Sequence, residues 1–172
     1  NASRLDSELV KEEEAEFNLL KTLSNLCQYL SQQAGEKGVD FIIDLPSDPI
    51  SIHGLEARLA QVFVNLVTNA ISFCEDGDAV RVWARRRENR VLIVVEDTGP
   101  GIPEQALTKV FKRFYSERPQ AEFGKHSGLG LAISKQIVEA HGGVIWAENI
   151  RPPAAGPPSE PLGARFVVGL PV

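Results

Sequence analysis

The sequence predicts an α+β domain, and three observations carry that prediction. Three segments repeat their apolar residues at helical spacing, around 19–30, 56–73 and 131–138. Between and after them lie short β-branched runs closed by Gly-, Pro- and Asp-rich turns, including two antiparallel pairs. With 172 residues and 43% hydrophobic content, the chain is long enough to bury one core.

The chain opens on a polar, acidic segment. Arg4 and Lys11 face Asp6, Glu8, Glu12, Glu13, Glu14 and Glu16, a local charge of −4 over residues 1–16. Leu5 and Leu9 stand four apart, as at the end of a helix that belongs to a preceding segment. A frayed, solvated terminus accounts for the same residues. Phe17 then starts a short strand, and Asn18 is an N-cap. Leu19, Leu20, Leu23, Leu26, Cys27 and Leu30 recur at helical spacing until Gly35 and Gly38 close the helix. Val39 to Asp44 is a strand, Pro46-Ser47-Asp48-Pro49 a turn, and Ile50 to Ile52 a second short strand.

Glu56 to Phe73 form the second helix, with Leu59, Val62, Phe63, Leu66, Val67, Ala70 and Ile71 on its apolar positions. Asn65 and Asn69 interrupt it at i and i+4, hence on one face. Asparagine is a poor helix former, and a buried amide must be hydrogen-bonded. The pair therefore marks either a wet cleft or two structural amides holding neighbouring loops. Asp76-Gly77-Asp78 turns the chain into Ala79–Arg87 and Arg90–Glu96, an antiparallel pair joined near Glu88-Asn89. Arg85-Arg86-Arg87 reads as a solvated hairpin end, because the run is short and the whole chain carries −5.

The second of these strands, Val91-Leu92-Ile93-Val94-Val95, ends abruptly on Glu96-Asp97-Thr98-Gly99-Pro100-Gly101-Ile102. Carboxylate oxygens only accept hydrogen bonds, so Asp97 suits a ligand that offers a donor such as an exocyclic amine. Gly99 and Gly101 let such a ligand lie against the main chain. Taken alone, Asp97 equally suits the capping of its own loop.

After Ile102 a polar stretch runs to about Ser127, too long for an ordinary connection in a compact domain, and it reads as a functional lid. Phe111, Phe114 and Tyr115 are embedded in it. Its charges, Lys109, Lys112, Arg113, Arg118 and Lys125 against Glu104, Glu117 and Glu122, sum to +2 and leave −7 for the remainder. That local reversal is what an anionic ligand needs to approach an acidic protein. Ser127-Gly128-Leu129-Gly130-Leu131 opens the third helix, continued by Ala132, Ile133, Ile137 and Val138 and stopped at Gly142. Small residues at a helix start leave the first N–H groups uncovered, a ready phosphate site, although Ser127 as a plain N-cap is compatible with it. Val144–Glu148 and Ala164–Leu170 are a final pair of strands, and the proline-rich 151–161 between them reads as a hairpin tip.

Several classes are excluded. Net charge of −5 argues against a nucleic-acid binder. No apolar run approaches a membrane span, and no signal peptide opens the chain. Cys27 and Cys74 show no metal-type spacing, which fits a reducing cytoplasm, and the scattered His53, His126 and His141 make no zinc site. The P-loop pattern is absent, and the dinucleotide fingerprint fails because the acidic residue precedes the glycines. The opening Asn1, in place of a methionine, suits a segment of a longer protein.

Four features remain, in a definite order. Asn65-Leu66-Val67-Thr68-Asn69-Ala70 resembles the N box of sensor histidine kinases, Asp97-Thr98-Gly99-Pro100-Gly101-Ile102 their first glycine box, Phe111-Lys112-Arg113-Phe114-Tyr115 the F box, and Gly128-Leu129-Gly130-Leu131 the second glycine box. Over residues 17–172 the chain is thus similar to the ATP-binding catalytic domain of that family. Arg118-Pro119 and Ser127-Gly128 look closest to ChvG-type envelope sensors.

The resemblance implies a two-layer sandwich of the Bergerat (GHKL) type. It would have a mixed, mostly antiparallel sheet of about five strands, three main helices on one face and a long ATP lid. It also implies a set of roles. Asp97 would accept from the adenine amine, with Gly99, Gly101 and Ile102 shaping the pocket. Asn65 and Asn69 would hold Mg²⁺ directly or through water. Lys112, Arg113, Tyr115 and Lys125 would serve the ligand from the lid, and Ser127, Gly128, Leu129, Gly130 and Leu131 would cradle phosphate. No histidine sits in a phosphoacceptor context, so this chain would carry no catalytic residue of its own. The acceptor would lie upstream, in a dimerisation domain of which residues 1–16 are the tail.

Partners implied are ATP, that upstream domain and, through the whole kinase, a response regulator. The isolated chain would be monomeric and cytoplasmic, its parent a homodimeric inner-membrane sensor. Two departures from the family stand out: Ser72 occupies a position where lysine is usual, and Gly54-Leu55 replaces Gly-Asp ahead of the second helix. Two other readings compete, a GHKL-type ATPase and a non-catalytic nucleotide-binding module that regulates or docks.

Overall fold

The computed structural model describes residues 13–112, 130–152 and 160–172. Strand β1 (Ala15–Asn18) leads into helix α1 (Leu19–Glu36), β2 (Asp40–Asp44) and β3 (Ser51–Gly54). Helix α2 (Glu56–Phe73), the hairpin β4 (Ala79–Arg87) and β5 (Arg90–Asp97), and a 3-10 turn at Glu104–Ala106 come next. Helix α3 (Gly130–Ala140), β6 (Val144–Ile150) and β7 (Gly163–Pro171) complete the described elements.

Local chemistry sets the boundaries. Asn18 caps α1, its side chain accepting from the Leu20 N–H at 3.1 Å. The helix buries Leu19, Leu20, Leu23, Cys27, Leu30 and Ala34 as one stripe. Gly35 lies inside its last turn, and the stop falls at Gly38, whose backbone φ is 76°. Helix α2 occupies the expected residues 56–73, and β4 the expected 79–87. The hairpin turns at Glu88-Asn89, with Glu88 at φ 55°.

The main sheet has five strands in the order β2-β4-β5-β7-β6. Only β2 and β4 run parallel, so the sheet is mixed and mostly antiparallel. The helices pack on one face. Between them lies the core, with Phe63, Leu59 and Leu66 of α2 set against inward residues such as Val82, Ile93, Val168 and Leu170. Sequence alone did not separate β3 from this sheet. It pairs instead with β1, Phe17 opposite Ile52, in a two-stranded ribbon beside the helices. Strand alternation carries the core row of β5 to its last residue. Val91, Ile93, Val95 and Asp97 all face inward and all are buried, so the carboxylate occupies the fourth position of that row.

Candidate functional site

The site grows out of that row. Asp97 is 4% exposed, and no cation pairs with it among the described residues. Its Oδ1 accepts from the Gly99 N–H at 2.9 Å, so the loop-cap reading holds as geometry. Burial pushes the carboxyl up to about 6, while the Gly99 and Ala164 backbone amides pull it down and Asp78 adds a smaller upward push. One face of this carboxylate is therefore used locally, and the group is costly to keep charged without a further donor.

The turn after it is held from several sides. Thr98 accepts from the Ala79 N–H at 2.9 Å and donates to Asp78 at 3.1 Å, which fixes the strand end to the turn before β4. A side chain on Gly99 would meet the Phe73 carbonyl at 3.1 Å and Asp97 Oδ1 at 3.0 Å. Gly101 has φ 82°, a left-handed backbone that favours glycine. Ile102 is buried beneath the turn, 8% exposed.

Helix α2 connects this turn to the other expected residues. Its last residue, Phe73, abuts Gly99, and Asn65 lies eight residues back, about 12 Å along the axis at 1.5 Å per residue. Asn65 Nδ2 donates to the Gly130 carbonyl and to Ser134 Oγ, both at 3.3 Å. Ser134 is fully buried and donates back to the Gly130 carbonyl at 2.8 Å. With its nitrogen engaged by α3, Asn65 has its oxygen left over as acceptor. Among the described residues nothing bonds to the half-buried Asn69 amide. Two neutral oxygens one helical turn apart are hard donors, yet no group of three His, Cys, Asp or Glu stands ready for a metal among the described residues. Such a pair fits Mg²⁺ only if waters and anionic ligand oxygens complete the shell.

The rest of the expected set divides in two. Gly130 and Leu131 open α3 beside Asn65, and Phe111 packs edge-on against Phe166, ring centroids 5.9 Å apart, so the start of the lid is anchored on the sheet. Lys112 is exposed at the end of that segment. Arg113, Tyr115, Lys125, Ser127, Gly128 and Leu129 lie outside the described residues, as does most of the proline-rich connection.

The two departures have structural answers. Leu55 offers no capping side chain to α2, and the Leu55 N–H instead donates to His141 Nε2 at 3.0 Å. The other ring nitrogen of His141 lies 2.8 Å from the Ile137 carbonyl, so it carries the proton. Ser72 donates to the Asn69 carbonyl at 2.6 Å, and Lys37 Nζ, just past α1, donates to the Ile71 and Ser72 carbonyls at 3.0 and 3.2 Å, which ties off this end of α2. His141, Ser134 and Asn149 (whose amide lies against Ile102) were not foreseen as part of this neighbourhood. Ser134 had a weak signal, a polar residue at the helical spacing of the apolar Leu131 and Val138. His141 and Asn149 had none, because their partners lie 86 and 47 residues away.

Comparison with known proteins gives the chain its family and matches its fold. Residues 54–172 match the family model described as histidine kinase-, DNA gyrase B-, and HSP90-like ATPase. The sensor protein ChvG of Rhizobium meliloti is 42% identical over 99% of this chain, which covers 30% of that relative. The chain spans about a third of the length of the curated relatives it matches. The catalytic domain of the histidine kinase ThkA superposes with a TM-score of 0.78 at 27% identity, over 92% of this chain and 95% of that one. ThkA has also been solved in complex with the response regulator TrrA, with a TM-score of 0.74 at 26% identity, over 99% of this chain and 48% of that one. Full-length ShkA, solved with AMPPNP, gives 0.76 at 27% identity, over 92% of this chain and 31% of that one.

Proposed function

The chain belongs to the histidine kinase-, DNA gyrase B- and HSP90-like ATPases, homologous to sensor histidine kinases, and we propose that it binds Mg·ATP and presents the γ-phosphate to a histidine on a separate dimerisation domain. The observation that supports this most directly is the buried row of β5 ending on a carboxylate with no cation partner among the described residues, at the foot of a helix that carries two amide oxygens. In this reading Asp97 accepts from the adenine amine, and Gly99 and Gly101 keep the main chain close to the ring. Ile102 forms the apolar wall.

Further along α2, Asn65 and Asn69 offer oxygens to Mg²⁺, which when bound neutralises phosphate charge. Arg113, with Lys112 or Lys125 and Tyr115, would neutralise phosphate charge. Gly130 and Leu131 open α3, and together with Ser127, Gly128 and Leu129 they would supply backbone N–H groups to phosphate. The chain's contribution to phosphoryl transfer is then positioning and charge neutralisation, with the nucleophile supplied from outside. The parent kinase would be a homodimeric inner-membrane sensor that hands phosphate to a response regulator. Among the described residues no helix is long and apolar enough to cross a membrane.

A GHKL-type ATPase is the competing reading. It requires a general base where Asn65 stands, and an amide takes no proton from water. The Asn65 nitrogen is also engaged by α3, so slow hydrolysis by the isolated chain is expected. Titrating ATP with and without Mg²⁺ against wild type and Asp97→Ala tests the adenine assignment. The substitution should cost about 1.5–3 kcal/mol of binding, and equal affinity in the two proteins would sink the assignment. Incubation with the isolated acceptor domain and ATP then separates a kinase from a non-catalytic module, since only the former yields phosphohistidine.

A further inference from the structure

Beyond the expected site residues, one side chain holds the glycine turn as a second strand would. Asn149, on β6, accepts from the Ile102 N–H through Oδ1 and donates to the Ile102 carbonyl through Nδ2, each at 2.7 Å. Both backbone polar groups of one residue are thus satisfied by a single planar amide from across the fold. Two further contacts bring the same region of the chain to the turn. Arg151 pairs with Glu104, and a side chain on Gly101 would meet Asn149 Oδ1 and Pro161 Cβ at 2.8 Å. The turn after β5 is therefore fixed at one end by Asp97 and Thr98, and at the other by β6 and the segment that enters β7.

We propose that Asn149 is a positioning residue for the purine end of the nucleotide site, holding the Gly99–Ile102 turn in its ligand-ready shape before any ligand arrives. This rests on the reading of Asp97 as the adenine acceptor. The physical argument is preorganisation. A turn with two glycines has many conformations to lose on binding, and a bidentate amide removes them in advance. The contact holds the turn whose Gly99 abuts Phe73, eight residues along α2 from Asn65, so its loss should weaken every adenine nucleotide by the same factor and leave metal dependence alone.

The test uses Asn149→Ala and Asn149→Asp in this chain, with Asp97→Ala alongside. Calorimetric titration of ADP without metal should show roughly tenfold weaker binding for Asn149→Ala, the loss expected for two neutral hydrogen bonds that are only partly replaced by water. The same factor is expected for Mg·ATP. Asn149→Asp keeps the acceptor for the Ile102 N–H but sets a carboxylate against the Ile102 carbonyl, so it should bind no better than Asn149→Ala. Amide exchange followed by NMR should quicken at Ile102 while Ile93 and Val168, in the middle of the sheet, keep wild-type rates. Because both side chains act through one turn, the double variant Asp97→Ala/Asn149→Ala should lose less than the product of the two single losses.

Wild-type ADP affinity in Asn149→Ala, with Asp97→Ala weakened, overturns the proposal. So does exchange that quickens equally at Ile93 and Val168, which would make Asn149 merely structural. If Asp97→Ala also binds ADP normally, the adenine-end reading falls together with it.

Discussion

Glu96 and Asp97 are neighbours on one strand, yet their carboxylates live in opposite conditions. Glu96 points to the open face of the sheet and is saturated: Arg165 bonds it at 3.0 Å, Arg81 at 3.3 Å and the Trp83 indole N–H at 2.7 Å. The ladder continues sideways, with Arg81 reaching Asp44 at 2.5 Å and Arg165 reaching Glu148 at 3.5 Å. Asp97 points into the core and meets backbone amides, with no cation among the described residues. A carboxylate surrounded by cations is completing a structure. One that meets only backbone amides among the described residues, in a buried row, keeps acceptor capacity to spare, and that difference separates the structural acid from the candidate binding acid.

The contrast is broken most severely at Asp97. Its folded pKa of about 6 lies above the ordinary 3.8, so the folded state holds the proton more tightly than the unfolded one. The stability this contributes is full below pH 3.8 and is lost as pH rises through about 6. Asp97→Asn should therefore stabilise the chain at pH 7, by up to about 3 kcal/mol, and do little at pH 3.5. Denaturant melts of both proteins across pH check this. Adenosine affinity should move the other way, lower in Asp97→Asn at pH 7. In wild type it should fall as pH drops below about 6, because a protonated acid accepts poorly.

Asn69→Ala comes next. It removes an oxygen that nothing in the described fold uses, so folding stability should stay within about 0.5 kcal/mol. The Mg²⁺-dependent part of ATP affinity should fall by about 1–1.5 kcal/mol, read as the ratio of titrations with and without metal. A loss that persists without metal would put Asn69 in a different role. Glu96→Gln sharpens the comparison from the saturated side. It should cost about 1 kcal/mol of stability, modest because Arg81 and Arg165 are 44% and 31% exposed, and it should leave adenosine affinity unchanged. The smallest effect belongs to Glu104→Gln, which removes an exposed pair with Arg151 and should shift stability by less than about 0.5 kcal/mol.

Much of this was legible in one dimension. The bounds of α2 and β4, and those of β5 short of its last residue Asp97, came from apolar periodicity, because a helix at 3.6 residues per turn and a strand at 2 leave different signatures. Asp97, the turn glycines and the paired asparagines could be picked out because each breaks its element's pattern: a carboxylate closing an apolar run, amides inside an apolar helix. Pairing was harder to read. Ile50 to Ile52 looked like one more strand, and nothing local could say that it leaves the main sheet to join Phe17.

The sequence by itself determined most elements and the chemical vocabulary of the site, since those depend on residues within a few positions of one another, while the order of four boxes from Asn65 to Leu131 carried the resemblance to a fold family. The tertiary structure decided which acid is paired with cations and which is buried against backbone amides. Glu96 and Asp97 are both plain carboxylates in the sequence, and strand alternation sends one to Arg81 and Arg165 and the other into the core. It also supplied His141 to the uncapped Leu55 and Asn149 to Ile102. Hydrogen bonds between residues 47 or 86 positions apart leave no periodicity in the chain, because distance in space, which sets their energy, is fixed only when the layers pack.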